Sequence, residues 1–483
     1  MLLNFVCALL LSPLGLSNPG KQLLFQNTDT ITAPATVSSD TLTNETSLII
    51  KNIIIEGNKV TKERIILREL SFMVSDTIAP GQLNKKLTTS RQNLLNTSLF
   101  NFVTITPIVN DSFVDLHISL IERWYTWPVP VFELAETNFN TWWLTRDLRR
   151  TNYGLFVNRE NFRGRKEALR LKAQLGYTEQ FALQYNVPYI DKKQTTGLGL
   201  TLSYLRNHEI TYKTVNNKRI FFKDKENYAR EEFVARVAMT LRKGIYNTGT
   251  FSLKYNMANI ADTITRLSED YFQKNNTHVQ FFTLGSHFKR DKRDFKAYPL
   301  KGYYFDLEAV KIGVGFLPNS PDVLYFRSAF KKFWKLNDKF FYAASTKAKI
   351  SANSNQPYYN QSGLGYGDLV RGYEYYVIDG QNWYLAQSNL KYQLISPRIQ
   401  KIDFIPSEKF NTFHYAVYLN LFADAGYVRD KLYGQLNPLS NAAMVGYGIG
   451  LDYVTYYDQV LRLEYSFNKL GERGFFINFT API

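Results

Sequence analysis

The sequence has almost no thiol and no long apolar run. One of its 483 residues is cysteine, Cys7, so disulfides within the chain and cysteine-held metals are excluded. Beyond the N-terminus no stretch of about 18 apolar residues occurs, which excludes the usual helical membrane span. Histidine is scarce too, at positions 117, 208, 278, 287 and 414, with no His-Glu-x-x-His spacing for a metal. The Gly-x-Ser-x-Gly nucleophile elbow is missing. Asp291 and Asp294 could suggest paired carboxylates, but Arg290, Lys292 and Arg293 around them point to a structural charge network. No catalytic residue, metal or cofactor is therefore expected.

Aromatic residues are abundant instead. There are 33 Tyr and 35 Phe, yet the mean hydropathy is only −0.27. Strands that alternate lipid-facing apolar residues with polar lumen residues give this combination. The net charge of +16 favours an acidic counterpart. Its Lys and Arg are scattered, without the compact basic footprint of a nucleic-acid binder, so no nucleic acid is expected and anionic membrane lipid is the better partner.

Along the chain, residues 1–17 form an apolar block ending in Gly15-Leu16-Ser17, the pattern of a cleaved export signal that would remove Cys7. Residues 18–47, half of them Thr, Ser, Asn or Asp and few of them large and apolar, cannot bury enough surface to order themselves. Residues 48–122 then read as one compact unit in the order strand, helix, helix, strand, strand. The first strand covers Leu48 to Glu56, and a helix follows from Thr61, as N-cap, to Phe72. A second helix follows Pro80-Gly81, and strands from Phe102 to Val109 and Phe113 to Ile121 meet at a turn at Asn110-Asp111. Ile66, Leu70 and Met73 fall on one face of the first helix, and Leu83, Leu87, Leu94 and Leu95 on one face of the second.

From Trp127 to Ile483 the period becomes two. Leu169, Leu171, Ala173 and Leu175 alternate with Arg170, Lys172, Gln174 and Gly176, and Leu461, Leu463 and Tyr465 with Arg462, Glu464 and Ser466. At about 22 residues per strand and connection, residues 127–483 make about sixteen strands, an even number suited to a closed transmembrane barrel. A soluble sandwich shows the same alternation, but the unbroken run and the alternation of long loops with short turns favour the barrel. The expected fold class is mainly β: an antiparallel transmembrane β-barrel of about sixteen strands preceded by one small α+β domain.

Parity assigns the faces. Val417, Leu419, Leu421 and Ala423 form an outward set, leaving Asn420, Phe422, Asp424 and Gly426 in the lumen. Ile449, Leu451 and Tyr453 likewise turn Gly446, Gly448, Gly450 and Asp452 inward. The glycines resemble a nucleotide-binding loop, but no helix follows them; they leave a bare groove where another piece of chain can approach the wall. The candidate occupant is the segment from about Ser351 to Gln381, which carries Val370-Arg371-Gly372-Tyr373. A guanidinium fork suits a carboxylate, and Asp424 is the expected partner of Arg371.

Val370-Arg371-Gly372-Tyr373 and Phe422-Ala-Asp424-Ala-Gly426 resemble the loop and strand motifs of the BamA/TamA family of outer-membrane assembly proteins. Asn161-Phe-Arg-Gly164 with Glu167, Val187-Pro188-Tyr189, and Arg290-Asp291-Lys-Arg293-Asp294 with Pro299 and Gly302 resemble that family's other barrel motifs. Glu56-Gly57-Asn58 and Leu99-Phe100-Asn-Phe102-Val103 resemble its POTRA module, and residues 48–122 have room for one. The resemblance implies a barrel in the outer membrane of a Gram-negative bacterium with a periplasmic POTRA domain. It also implies a loop arginine bonded to the strand aspartate, and insertion or translocation of unfolded or exported client polypeptides through a labile seam between first and last strands. Periplasmic or membrane helper proteins would be further partners, with outer-membrane lipid around the barrel. Lys391 departs from the pattern, standing where many relatives have glutamate; it is expected to compete with Arg371 for Asp424 or to pair with Asp452. The alternatives are a passive outer-membrane channel and a dedicated two-partner-type secretion pore.

Overall fold

The computed structural model describes residues 47–134, 151–224, 226–401, 411–455 and 459–480, with Trp143, Arg146 and Leu148 between the first two stretches. The expected export signal and all but the last residue of the expected leader lie outside the described residues. The chain divides into two compact units after Arg123.

The first unit contains β1 (Leu48–Glu56), α1 (Glu63–Leu67), β2 (Thr77–Ile78), α2 (Pro80–Leu95), β3 (Phe100–Asn110) and β4 (Phe113–Glu122). Its sheet order is β2-β1-β4-β3, with β1 parallel to β4 and β3 antiparallel to it. Ile50, Val114, Leu116 and Ile118 from the sheet and Ile65, Ile66, Leu83 and Leu94 from the helices are buried, one sheet face under two helices. Pro80 opens α2 at a first-turn position, where its missing N–H is not needed.

The first helix is shorter than its periodicity suggests. It ends at Leu67, and its N-cap is Lys62, whose side chain makes no capping bond. Thr61 is turned away: its Oγ1 donates to Glu122 Oε1 at 2.6 Å and its N–H to the same oxygen at 2.7 Å. Beyond Leu67 the Arg68 N–H still reaches the Arg64 carbonyl at 3.3 Å and those of Glu69 and Leu70 make tighter turn bonds to Ile66 and Leu67 at 3.0 and 3.2 Å, and α2 holds the chain from the side. Asn93 Nδ2 donates to the Glu69 carbonyl at 3.0 Å, and Ser71 N–H to Ser90 Oγ at 2.9 Å. Met73, expected on the buried face, is 70% exposed.

The second unit is a sheet of sixteen strands. In order these are β5 (Thr126–Leu134), β6 (Thr151–Phe162), β7 (Glu167–Gly176), β8 (Thr178–Val187), β9 (Thr196–Asn207), β12 (Arg230–Lys243), β13 (Asn247–Ile260), β14 (His278–Asp291), β15 (Gly302–Ile312), β16 (Val323–Lys335), β17 (Phe340–Ser351), β18 (Asn382–Lys401), β19 (Thr412–Arg429), β20 (Ala443–Val454), β21 (Val460–Asn468) and β22 (Arg473–Thr480). A separate hairpin, β10 (Glu209–Val215) and β11 (Lys218–Lys223), stands in the connection between β9 and β12, and a short helix, α3 (Asp262–Leu267), follows β13.

Each barrel strand pairs antiparallel with its neighbours, for example Met239 with Phe251 and Leu421 with Ile449. The alternation sorts the faces as the period predicts. Leu198, Leu200 and Leu202, Val237, Met239 and Leu241, and Phe251 and Leu253 are exposed, forming an apolar outer belt. The inward positions of β18 to β21 are buried or half-buried instead, with Asn420, Asp424, Asp452 and Glu464 among the buried ones. Among the described residues no ladder joins β22 to β5, so these are the edge strands of the sheet.

Candidate functional site: a loop pinned to the inner wall

The connection between β17 and β18, residues 352–381, packs against the inward faces of β18, β19 and β20. It closes on itself through paired bonds between Leu364 and Ile378, at 3.0 and 2.8 Å. Leu364, Val370, Tyr373 and Ile378 then share a core with Trp383, Leu385, Val428, Leu439 and Met444.

Arg371 projects from this core onto the wall. Its Nη2 donates to Asp424 Oδ1 at 2.6 Å and its Nε to Oδ2 at 2.8 Å, while its own N–H reaches Oδ2 at 3.2 Å. Nη1 donates to Asn389 Oδ1 at 2.8 Å and to Glu464 Oε1 at 3.2 Å. The guanidinium carbon lies 3.9 Å from the centroid of Phe422, close enough for attraction to the ring face. Gln387 Nε2 adds a bond to Asp424 Oδ2 at 3.2 Å. Arg371 is 6% exposed and Asp424 2%. A planar fork that can meet a carboxylate on two atoms and a ring on its face fits where an ammonium would not.

The backbone beside Arg371 is specified as closely. Gly372 has φ +93°, a conformation that side chains resist, and an added Cβ would stand 2.9 Å from the Phe467 carbonyl oxygen. Its carbonyl accepts from Asn468 Nδ2 at 2.7 Å, and its N–H donates to Glu374 Oε2 at 2.8 Å.

The inward glycines have different neighbours. A Cβ on Gly446 would stand 1.7 Å from the Arg371 carbonyl oxygen, so the loop backbone lies directly against that strand. One on Gly448 would stand 2.2 Å from the Tyr465 carbonyl oxygen and 2.7 Å from the Phe422 ring, and one on Gly450 would stand 3.1 Å from Glu464 Cγ and 3.2 Å from the Leu463 carbonyl oxygen. Of the three positions, the loop main chain lies against Gly446, while Gly448 and Gly450 are crowded by the neighbouring strand β21 and, at Gly448, by the Phe422 ring as well. Gly426 makes room for Val370, whose Cγ2 would be 2.4 Å from an added Cβ.

Lys391 makes neither expected ion pair. It is opposite Asn420, whereas Asp424 is opposite Gln387; four residues along a strand is roughly 13 Å. Asp452 is taken by Arg462, directly across on β21, with Nε to Oδ1 at 2.8 Å. The Tyr298 hydroxyl also donates to Asp452 Oδ2 at 2.7 Å. The Lys391 ammonium sits over the Tyr298 ring, 3.8 Å from its centroid.

Sequence reading did not single out Asp368. It pairs with Lys347 and lies 3.7 Å from Arg327 Nη2, which tethers the loop to β16 and β17, away from the Arg371 contacts. Glu464 and Arg462 were visible only as inward members of an alternating strand, without a role. Among the other motif residues, Glu167 is fully buried and receives Arg163 Nε at 2.8 Å and the Tyr185 hydroxyl at 2.9 Å. Asp291 and Arg293 form a contact at 2.7 Å. Among the described residues no group of three or more His, Cys, Asp or Glu could hold a metal.

The family model described as the Omp85 superfamily domain matches residues 161–465, from the end of β6 into β21. The chain belongs to the Omp85 superfamily. A second model, the surface antigen variable number repeat of the POTRA type, matches residues 48–123. The sixteen-stranded sheet therefore has the barrel architecture of this Omp85 family, and the preceding unit is its POTRA domain. CdiB from Escherichia coli shares the fold, with a TM-score of 0.53, 12% identity, and coverage of 89% of this chain and 75% of that one. BamA from Haemophilus ducreyi lacking POTRA domains 1–3 gives 0.49 at 16% identity, over 89% and 84%. CdiB from Acinetobacter baumannii gives 0.45 at 13%, over 90% and 73%. No curated protein sequence matches the chain.

Proposed function

We propose that this Omp85 protein moves polypeptides into or across the outer membrane of a Gram-negative bacterium, with its POTRA domain in the periplasm receiving the client. The observation that carries the reading is the inward loop, held by Arg371 against Asp424 and Glu464. A lumen segment fixed by buried charges gives a conduit that must rearrange around a large client a defined resting position. Losing one member of a buried pair leaves an uncompensated charge, so the contact has a clear on and off state. The POTRA sheet can receive an extended client by main-chain pairing at its edge, which tolerates varied sequence.

A dedicated two-partner-type secretion pore is the second reading, and the fold likeness to CdiB favours it over general assembly of barrel clients. The test is to place the purified protein in liposomes, add an unfolded barrel protein, and follow the folded fraction by gel mobility beside Arg371→Ala. Acceleration by the parent and not by the variant supports an insertase governed by the loop. Acceleration by neither, with ion conductance altered when an exported polypeptide is added, supports the secretion pore. Steady conductance indifferent to any polypeptide returns the barrel to a passive channel.

A further inference from the structure

The two edges of the barrel sheet are chemically unequal. β5 reads Thr126-Trp-Pro-Val-Pro-Val-Phe-Glu-Leu134, with prolines at 128 and 130. Its phase against β6 is fixed by the Glu160 N–H, which donates to the Tyr125 carbonyl at 2.8 Å, in a register that sets Thr126 opposite Arg159. Antiparallel partners alternate between pairs that exchange hydrogen bonds and pairs that do not. Tyr125 and Glu160 are a bonded pair, so Trp127, Val129 and Val131 turn their main-chain groups toward β6. Thr126, Pro128, Pro130 and Phe132 turn theirs the other way, to the outer edge of the strand that ends the sheet.

Proline has no N–H. At two successive outward positions, Pro128 and Pro130, this edge offers carbonyls with no donor beside them. Any strand laid along it must leave two of its own carbonyls unanswered, and within hydrocarbon no water replaces the lost donors. The prolines leave the ladder to β6 intact because their nitrogens face away from it; proline on an edge strand acts in this way against strand addition. The opposite edge is different. The Asn468 N–H donates to the Glu472 carbonyl at 3.0 Å, and Phe467 is opposite Arg473. By the same alternation Arg473 and Phe475 of β22 direct both N–H and carbonyl away from β21, and β22 contains no proline.

We propose that β5 is a blunted seam edge, which an extended polypeptide cannot pair along its whole length, and that strand addition at the seam is built on β22. The incoming strand would have alternating polar and apolar residues, to match the lumen and lipid faces. The blunting of β5 follows from the main chain alone; the assignment of a client to β22 rests on the polypeptide-handling reading.

The first test uses the full chain in liposomes, as parent and as the double variant Pro128→Val and Pro130→Val, which restores both donors and keeps the outward side chains apolar. Hydrogen exchange is followed on peptides from β5 and β22. Slowing by roughly tenfold, the scale of two added hydrogen bonds, is expected in the variant; unchanged exchange in both peptides overturns the blunted edge. Pro130→Val alone should give a smaller slowing and keeps the test open should the double variant fail to fold. The second test introduces one cysteine, Phe475→Cys or Phe132→Cys, in a Cys7→Ser background. The probe is an unfolded outer-membrane barrel protein with a single cysteine in its last strand. Disulfide capture at 475 and not at 132 is expected, and capture at 132 equal to or above that at 475 overturns the assignment to β22. Capture at neither position, with exchange still slowed in the proline variant, keeps the blunted edge and refutes strand addition by a client.

Discussion

Gly446 of β20 lies directly beneath the carbonyl of Arg371, so that a Cβ at Gly446 would sit 1.7 Å from that oxygen. The obstacle is main chain on both sides, and neither can rotate away. Gly446→Ala should therefore lift the loop from the wall, while Gly450→Ala, where a Cβ would stand 3.1 Å from Glu464 Cγ and 3.2 Å from the Leu463 carbonyl oxygen of the neighbouring strand, should need a shift of only a few tenths of an ångström and leave the loop in place. Limited proteolysis of the folded protein reads the difference, with faster cleavage within residues 352–381 expected only for Gly446→Ala. Equal cleavage in both variants would mean that the close approach does not hold the loop.

Arg371→Ala should cost about 3–5 kcal/mol of loop docking, because Asp424 and Glu464 remain as buried charges without their cation. Arg371→Lys should recover only part of this, since an ammonium cannot meet both Asp424 oxygens, Asn389 and Glu464 in one plane. The temperature at which the folded band disappears on a semi-native gel should fall in the order parent, lysine, alanine. A lysine variant equal to the parent would show that the charge alone matters and the fork does not.

The tether at Asp368 should be weaker. Its carboxylate and Lys347 each keep 21% of their side-chain surface exposed, so solvent screens the pair and its removal should cost no more than about 1 kcal/mol. Asp368→Asn should thus raise loop proteolysis slightly by itself, and Asp368→Asn with Arg371→Lys should raise it more than the sum if both tethers restrain one rigid loop. Strict additivity would make them independent.

The barrel was legible because its signal is repeated. Leu169 to Tyr177 and Leu461 to Phe467 each display the period of two, and any one ambiguous strand is corrected by its neighbours. Parity also placed Asp424, Asn420 and the three glycines of β20 on the inner wall, because a strand leaves only two choices of face. It could not say which strand lies opposite at which level. Hence parity offers Lys391 both Asp424, which the register puts out of reach, and Asp452, which Arg462 on the next strand holds instead, and it gives Arg462 no role. The first helix failed for a related reason. Ile66, Leu70 and Met73 share a helical spacing, but Ser90 and Asn93 of the next helix bind the chain after Leu67 and end it, and no local periodicity records that competition.

Within the POTRA domain, Glu122 fastens the segment before α1 by accepting from the N–H groups of Val60 and Thr61 and from Thr61 Oγ1. Glu122→Ala leaves these donors without the carboxylate and should cost roughly 1.5–3 kcal/mol, the range for bonds to a charged group. Hydrogen exchange on the full chain should show faster exchange over residues 58–67 with the barrel peptides unchanged. Exchange unchanged over that segment would show that packing of Ile65 and Ile66 fixes it without Glu122.

Lys391→Met is the reverse case, a substitution that removes a charge and should do no harm. The ammonium is buried over Tyr298, and neither Asp424 nor Asp452 lies within ion-pairing distance. Burial of a cation without a carboxylate is unfavourable, and an unbranched apolar side chain of similar length fills the space without that penalty. The ring contact returns some of the energy, so the net change should fall between neutral and mildly stabilising on the semi-native gel. Arg462→Met should behave in the opposite way, since it strips Asp452 of its direct partner and leaves a buried carboxylate. If Lys391→Met destabilised the barrel as much as Arg462→Met, the lysine would be a working member of the Asp452 charge cluster, and its contact with Tyr298 would be incidental.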